Sequence, residues 1–231
     1  YEDERIVSGK PSELSEQDLA GLCTVLIENP FPERGASPHV RDGEFIRGRV
    51  PMTKEEVRAV SIARLQLTED AVVWDVGAGT GSVSVEAARS GDRIRVYAVE
   101  KNPEALELIR ENRKKFRADG IRIVPGEAPG VLETLEAPTH VFIGGSSGNL
   151  QEILSCVLEK NENARIVVNA ISLETMKEVM EAAESGTLKS PEITQLTVSR
   201  SRELGRYHMM TGQNPVYIVS AGGTADERGE A

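Results

Sequence analysis

At 231 residues the chain can fill one α/β domain and still have material left over. Hydrophobic residues make up 39% and charged residues 28%, the balance of a soluble globular protein, and no apolar run approaches the roughly 18 residues of a membrane span. A net charge of −10, from 27 basic and 37 acidic residues, weighs against broad binding to nucleic acid or membrane.

The chain begins at Tyr1 without a methionine, which reads as a fragment or processed product. It lacks the basic-then-apolar start of a signal peptide. Cys23 and Cys156 lie far apart in no metal-like spacing, so neither a disulfide framework nor a metal site is expected, and cytoplasm is the expected compartment. The apolar run Leu22 to Ile27 predicts one strand, and Pro30, Pro32, Gly35 and Pro38 predict an irregular linker. The expected division is a segment 1–40 followed by a domain 41–231.

From Thr53 the pattern becomes regular. Thr53 with Glu56 predicts a capping box, and Val57, Val60, Ile62 and Leu65 form an imperfect apolar helical face. Strands are predicted at Ala71–Val76, Arg95–Val99, Ile121–Val124, Val141–Ile143 and Arg165–Val168. Helices are predicted at Ser82–Arg89, from Asn102 with Pro103 at its first position to Arg117, at Leu150–Lys160 and at Leu173–Ser185. Two last strands, Ile193–Ser199 and Val216–Ser220, have no helix between them. The alternation predicts a mostly parallel, doubly wound sheet with an antiparallel edge, the Rossmann-like variant of class I methyltransferases, with ligands at the carboxyl ends of its strands.

The sharpest signal is Asp75-Val76-Gly77-Ala78-Gly79-Thr80-Gly81, between a strand and a helix. A dinucleotide fold would place its third glycine at position 82, which is serine. Glycines at 77, 79 and 81 behind an acid give the form expected for S-adenosylmethionine, which has no pyrophosphate to seat at a helix end. Glu100 ends the second strand about 20 residues on, where an acid accepts hydrogen bonds from both ribose hydroxyls. Lys101 and Asn102 follow along the adenine edge, and Gly126-Glu127-Ala128 leaves room for the ring. Gly144-Gly145-Ser146, after the fourth strand, is expected to face the methyl acceptor. Asn214-Pro215-Val216-Tyr217 imitates an amino-methyltransferase signature, but it stands after the wrong strand and reads as a turn.

Several segments resemble the decarboxylating precorrin methyltransferases of cobalamin biosynthesis. They are Glu44-Phe45-Ile46-Arg47, Pro51-Met52-Thr53-Lys54-Glu55-Glu56-Val57-Arg58, the glycine loop, Phe142-Ile143-Gly144-Gly145-Ser146 and Asn214-Pro215-Val216. The resemblance spans about residues 42 to 221. Residues 1 to about 30, with Asp3-Glu4-Arg5-Ile6-Val7 and Val25 to Pro30, look like the tail of a partner carbon-5 precorrin methylase. The two activities are fused in the precorrin-6Y C5,15-methyltransferases, whose carboxyl-terminal half this chain resembles. The resemblance implies methylation of a tetrapyrrole at carbon 15 with loss of carbon dioxide from an acetate side chain. It also implies cofactor contacts at Thr53, Gly77 to Gly81, Glu100 and Ala128, and a homotetramer. A polycarboxylate substrate on an acidic protein calls for cations at the site mouth, and Arg47, Arg49, Arg200, Arg202, Arg206 and His208 are the candidates. The rival readings are an RNA or protein methyltransferase and a non-catalytic module that binds S-adenosylmethionine.

Overall fold

The structure, a computed structural model, describes residues 5–18, 23–28 and 39–223. The chain divides into two compact units, Tyr1–Ala36 and Ser37–Ala231. In the first, one helical turn, α1 (Pro11–Leu14), is closed by Glu13 Oε2 accepting from the Lys10 amide at 3.0 Å. None of its described residues is buried, and Val25, Leu26 and Ile27 lie exposed in irregular backbone. The expected strand there is corrected over residues 23–27: a strand needs a neighbour, and the described residues of this unit offer none. Leu22, and the proline-marked linker from Pro30 to Pro38, lie outside the described residues.

In the second unit α2 (Glu55–Leu65) is followed by β1 (Val72–Val76), α3 (Ser82–Arg89), β2 (Arg95–Glu100), α4 (Pro103–Lys115), β3 (Ile121–Pro125), β4 (His140–Ile143), α5 (Leu150–Lys160), β5 (Arg165–Ala170) and α6 (Leu173–Glu184). Four strands close it: β6 (Glu192–Leu196), β7 (Ser199–Leu204), β8 (Tyr207–Gly212) and β9 (Val216–Ala221). Seven strands form one sheet in the order β3-β2-β1-β4-β5-β9-β6. β1 to β5 run parallel, and β9 lies antiparallel between β5 and β6. Alternation along β1 divides the core. Val73 faces a layer packed with Val57 and Leu65 of α2 and Val83 and Val85 of α3, while Val72, Trp74 and Val76 face Leu150, Ile153 and Leu154 of α5. Among the described residues no helix is long and apolar enough to cross a membrane.

Two local expectations change. Asn102 caps α4 as predicted, its side chain accepting from the Glu104 amide at 2.9 Å. Thr53 does not cap α2; Lys54 holds that position without a side-chain cap, and the Thr53 carbonyl accepts from Arg58 Nη1 at 2.6 Å. The strand drawn through Ser199 ends at Leu196, and Ser199–Leu204 pairs with Tyr207–Gly212 as a separate hairpin. That hairpin is almost wholly exposed, with Leu204, Tyr207, Met209 and Met210 each more than half accessible.

The segment 39–54 is bound to the domain by polar groups. Arg58 is fully buried and donates from Nε to Glu86 Oε1 at 2.6 Å and from Nη1 to Asp42 Oδ1 at 3.1 Å; its Nη2 donates to the Val40 carbonyl. Glu86 Oε1 also accepts from the Val40 amide at 3.0 Å. Asn112, buried on α4, accepts from the Ile46 amide and donates to the carbonyls of Ile46 and Thr80. This residue ties the segment to the glycine loop.

Candidate active site

The strand order reverses between β1 and β4, and a cavity of about 570 Å³ opens there at the carboxyl ends of the strands. This is the size of a small-molecule site. One wall is the glycine loop, which must lie close to its neighbours. A Cβ on Gly77 would come within 2.8–3.1 Å of the Gly145 backbone, and one on Gly79 within 2.7 Å of the Pro51 carbonyl oxygen. Gly77, Gly79 and Gly81 all have positive φ. A side chain at Gly79 would therefore meet Pro51 before it reached the cavity.

The loop's amides are largely engaged within the chain. Gly77 and Ala78 donate to the Val99 carbonyl at 3.0 and 3.1 Å, Gly81 donates to the Ala78 carbonyl, and Gly79 donates to Glu100 Oε2 at 2.9 Å. Glu100 Oε1 accepts from the amides of Lys101 and Asn102, each at 2.9 Å. Three of its roughly four acceptor positions are thereby filled. The carboxylate is fixed at the cavity edge with about one position left, fewer than the two anticipated. Lys101 Nζ reaches Glu127 Oε1 at 2.6 Å and Ser147 Oγ at 3.2 Å, spanning from the end of β2 to the loops after β3 and β4.

Of the residues chosen from the sequence, Thr53, Gly77, Ala78, Gly79, Glu100, Lys101, Glu127, Ala128, Gly144, Gly145 and Ser146 all line this cavity. Asp75, Thr80 and Gly81 do not: Asp75 and Thr80 are buried beneath the loop, and Gly81 caps α3. Arg47, Arg49, Arg200, Arg202, Arg206 and His208 are not in the lining either. Arg47 and Arg49 are exposed just before Val50, which is. Arg200 is gripped by Glu56 through two hydrogen bonds of 2.7 Å, which holds the Glu56 carboxyl below its ordinary range. Arg202, Arg206 and His208 stand on the exposed hairpin. The sequence reading missed Lys54, Asn169, Ile171 and Gln213 of the lining. It also set aside Asn214, which lines the cavity from the turn into β9. A smaller groove of about 160 Å³ shares Ser146, Asn169 and Ile171 with the cavity and runs on to Ser172 and Thr175.

Asp75 is a buried acid rather than a ligand contact. Burial pushes its carboxyl up to about 7, against the opposing hydrogen bonds from Ser84 and with the charge of Glu100 adding to the rise. Its Oδ1 has no partner among the described residues. Between about pH 4 and 7 the folded chain therefore keeps a proton that the unfolded chain releases. The associated stability is full below about pH 4 and is lost as the pH rises through 7. Asp75→Asn should flatten this part of the denaturation-midpoint profile between pH 4 and 8; an unchanged slope would rule the assignment out.

A family model described as a precorrin methyltransferase domain matches residues 45–221. A probable cobalt-precorrin-6B C(15)-methyltransferase (decarboxylating) of Pyrobaculum calidifontis is 44% identical over 189 residues, covering 80% of this chain and 96% of that protein. The crystal structure of a precorrin-6Y C5,15-methyltransferase from Geobacter metallireducens superposes with a TM-score of 0.75 at 40% identity, over 79% of this chain and 97% of that one. The carboxyl-terminal domain of the precorrin-6Y C5,15-methyltransferase from Rhodobacter capsulatus superposes at 0.70 with 27% identity, over 80% and 98%. With the cavity standing where β1 and β4 part and the match running through nearly every element around it, the chain belongs to the precorrin methyltransferase family.

Proposed function

We propose that the chain methylates carbon 15 of a precorrin and releases carbon dioxide from the ring C acetate, using S-adenosylmethionine bound between β1 and β4. The observation that carries the cofactor reading is Glu100 beside a glycine loop whose amides at Gly77, Ala78, Gly79 and Gly81 are already engaged. A pyrophosphate needs free amides; a ribose hydroxyl needs an acceptor, and Glu100 supplies one. The cofactor supplies the methyl group from a sulfonium sulfur. Glu100 accepts from a ribose hydroxyl, the small Gly126 and Ala128 leave space for the base, and Thr53 closes the other side. Gly144, Gly145 and Ser146 present backbone to the acceptor carbon. Holding acceptor and methyl donor in line is worth on the order of 7–11 kcal/mol.

For decarboxylation the chain's part is to hold and desolvate the acetate while the conjugated macrocycle takes the electron pair. The groove past Ser146 to Thr175 has no ionisable side chain in its lining. An acetate seated there loses water without gaining a cation, which favours dispersal of its charge. Arg47 and Arg49 remain the proposed contacts for outlying carboxylates.

The same reading carries a cytoplasmic homotetramer and a carbon-5 methylase partner fused in cis. The β7–β8 hairpin, with Leu204, Tyr207, Met209 and Met210 exposed, supports the first, because a lone two-stranded ribbon is marginal in water and copies of the chain can cover it. The likeness to the carboxyl-terminal domain of the Rhodobacter C5,15-methyltransferase supports the second. Mass spectrometry of a reduced precorrin incubated with protein and S-adenosylmethionine tests the activity. The expected product is heavier by one methyl and lighter by one carbon dioxide. Two methyl additions, or methylation without decarboxylation, would show the activity misassigned.

A further inference from the structure

Four charged residues line the cavity: Lys54, Glu100, Lys101 and Glu127. Three are committed, Lys101 and Glu127 to each other and Glu100 to three backbone amides. Lys54 is different. Its neighbours Glu55 and Glu56 are held by Arg200 at 3.5 and 2.7 Å, and its ammonium has no partner among the described residues.

Its place in the fold makes this unpaired charge more telling. Lys54 is the N-cap residue of α2 and supplies no side-chain cap. Serine, threonine, aspartate or asparagine would satisfy an orphan amide there. A cation also faces the positive end of the helix dipole. Local stability thus disfavours lysine twice, at a half-buried position on the wall of a cavity whose other cation is neutralised. Such local conflicts concentrate where a ligand supplies the missing partner.

We propose that Lys54 is the carboxylate-binding residue of this cavity, its ammonium pairing with a carboxylate of the bound reactants. The inference rests on the function proposed above, in which both the tetrapyrrole and the methionine part of the cofactor bring carboxylates. A cation on the acetate that is lost would stabilise the charge that must disperse, so the partner is a carboxylate that survives the reaction.

The test compares wild type with Lys54→Asn and Lys54→Arg in cofactor Kd, KM for the precorrin, and Tm. Lys54→Asn should raise Tm by supplying the cap, yet weaken one ligand by about ten- to a hundred-fold. Lys54→Arg should restore most of that binding. A higher KM with unchanged cofactor Kd places the carboxylate on the acceptor; a higher cofactor Kd places it on the cofactor. Wild-type Kd and KM in Lys54→Asn would overturn the proposal, as would weaker binding with a lower Tm that arginine does not rescue. A wild-type protein that neither binds S-adenosylmethionine nor turns over would instead overturn the functional reading beneath it.

Discussion

Replacing Arg58 by methionine is expected to destabilise the domain by about 3–5 kcal/mol, the scale for removing one partner of a buried ion pair. Methionine keeps much of the volume but leaves Glu86 and Asp42 with their buried cation gone. The carbonyls of Val40 and Thr53 lose their donors as well. The Arg58 guanidinium also lies 4.9 Å over the Phe45 ring, and its attraction to the ring face disappears in the variant. The segment 39–54 depends on these bonds and reaches Thr53 on the cavity wall, so cofactor affinity should fall with stability. The sole tryptophan, Trp74, is fully buried, and its fluorescence can follow denaturant unfolding. Adding Glu86→Leu to Arg58→Met should recover part of the stability, because the stranded charge goes with it. A single-variant effect below about 1 kcal/mol would show that the network is not needed.

Gly77→Ala should leave a folded protein with kcat lowered by about 100-fold or more, the cost of roughly 1 Å of misplacement at a reacting centre. The new methyl would sit 2.8–3.1 Å from the Gly145 backbone, on a residue with φ of +73°. All three atoms it meets are backbone rather than the movable end of a side chain, so the loops after β1 and β4 must part. In the proposed function one loop borders the cofactor and the other the acceptor, so their separation would set the distance over which the methyl group travels. Single-turnover kinetics at saturating ligands would isolate this step. Wild-type turnover in Gly77→Ala would mean that the loop spacing is not what aligns the reaction.

The elements with clean apolar periods were legible, and α3 and α5 fall on the predicted residues. The glycine-loop wall of the cavity was legible too, because tight turns and strand ends restrict residue choice. What escaped the sequence depends on polar groups meeting across long separations. The α2 face looked imperfect because Arg58 and Ser61 occupy buried positions on it, and their partners Glu86 and Asn169 stand far along the chain. Lys54 was legible only within the segment that carries the family resemblance and gave no sign of a site role, since a lysine beside two glutamates reads as solvated helix surface. The β7–β8 hairpin was missed because Ser199 to Leu204 is mostly polar, as a strand exposed on both faces can be. Asn214 reads as a misplaced motif, although the turn it occupies forms part of the cavity wall.

The ribosome makes β9 after all the other strands, yet β9 occupies an interior place in the sheet, between β5 and β6. Until it is made, β5 presents an open edge and β6 has no neighbour in the sheet. The nascent protein can therefore close β1 to β5 around most of the cavity, but Val216 and the turn at Asn214 complete the wall last. Translation that stops short of Val216 would release a chain with a built glycine-loop wall, an unsealed sheet edge and a lasting tendency to pair with other strands.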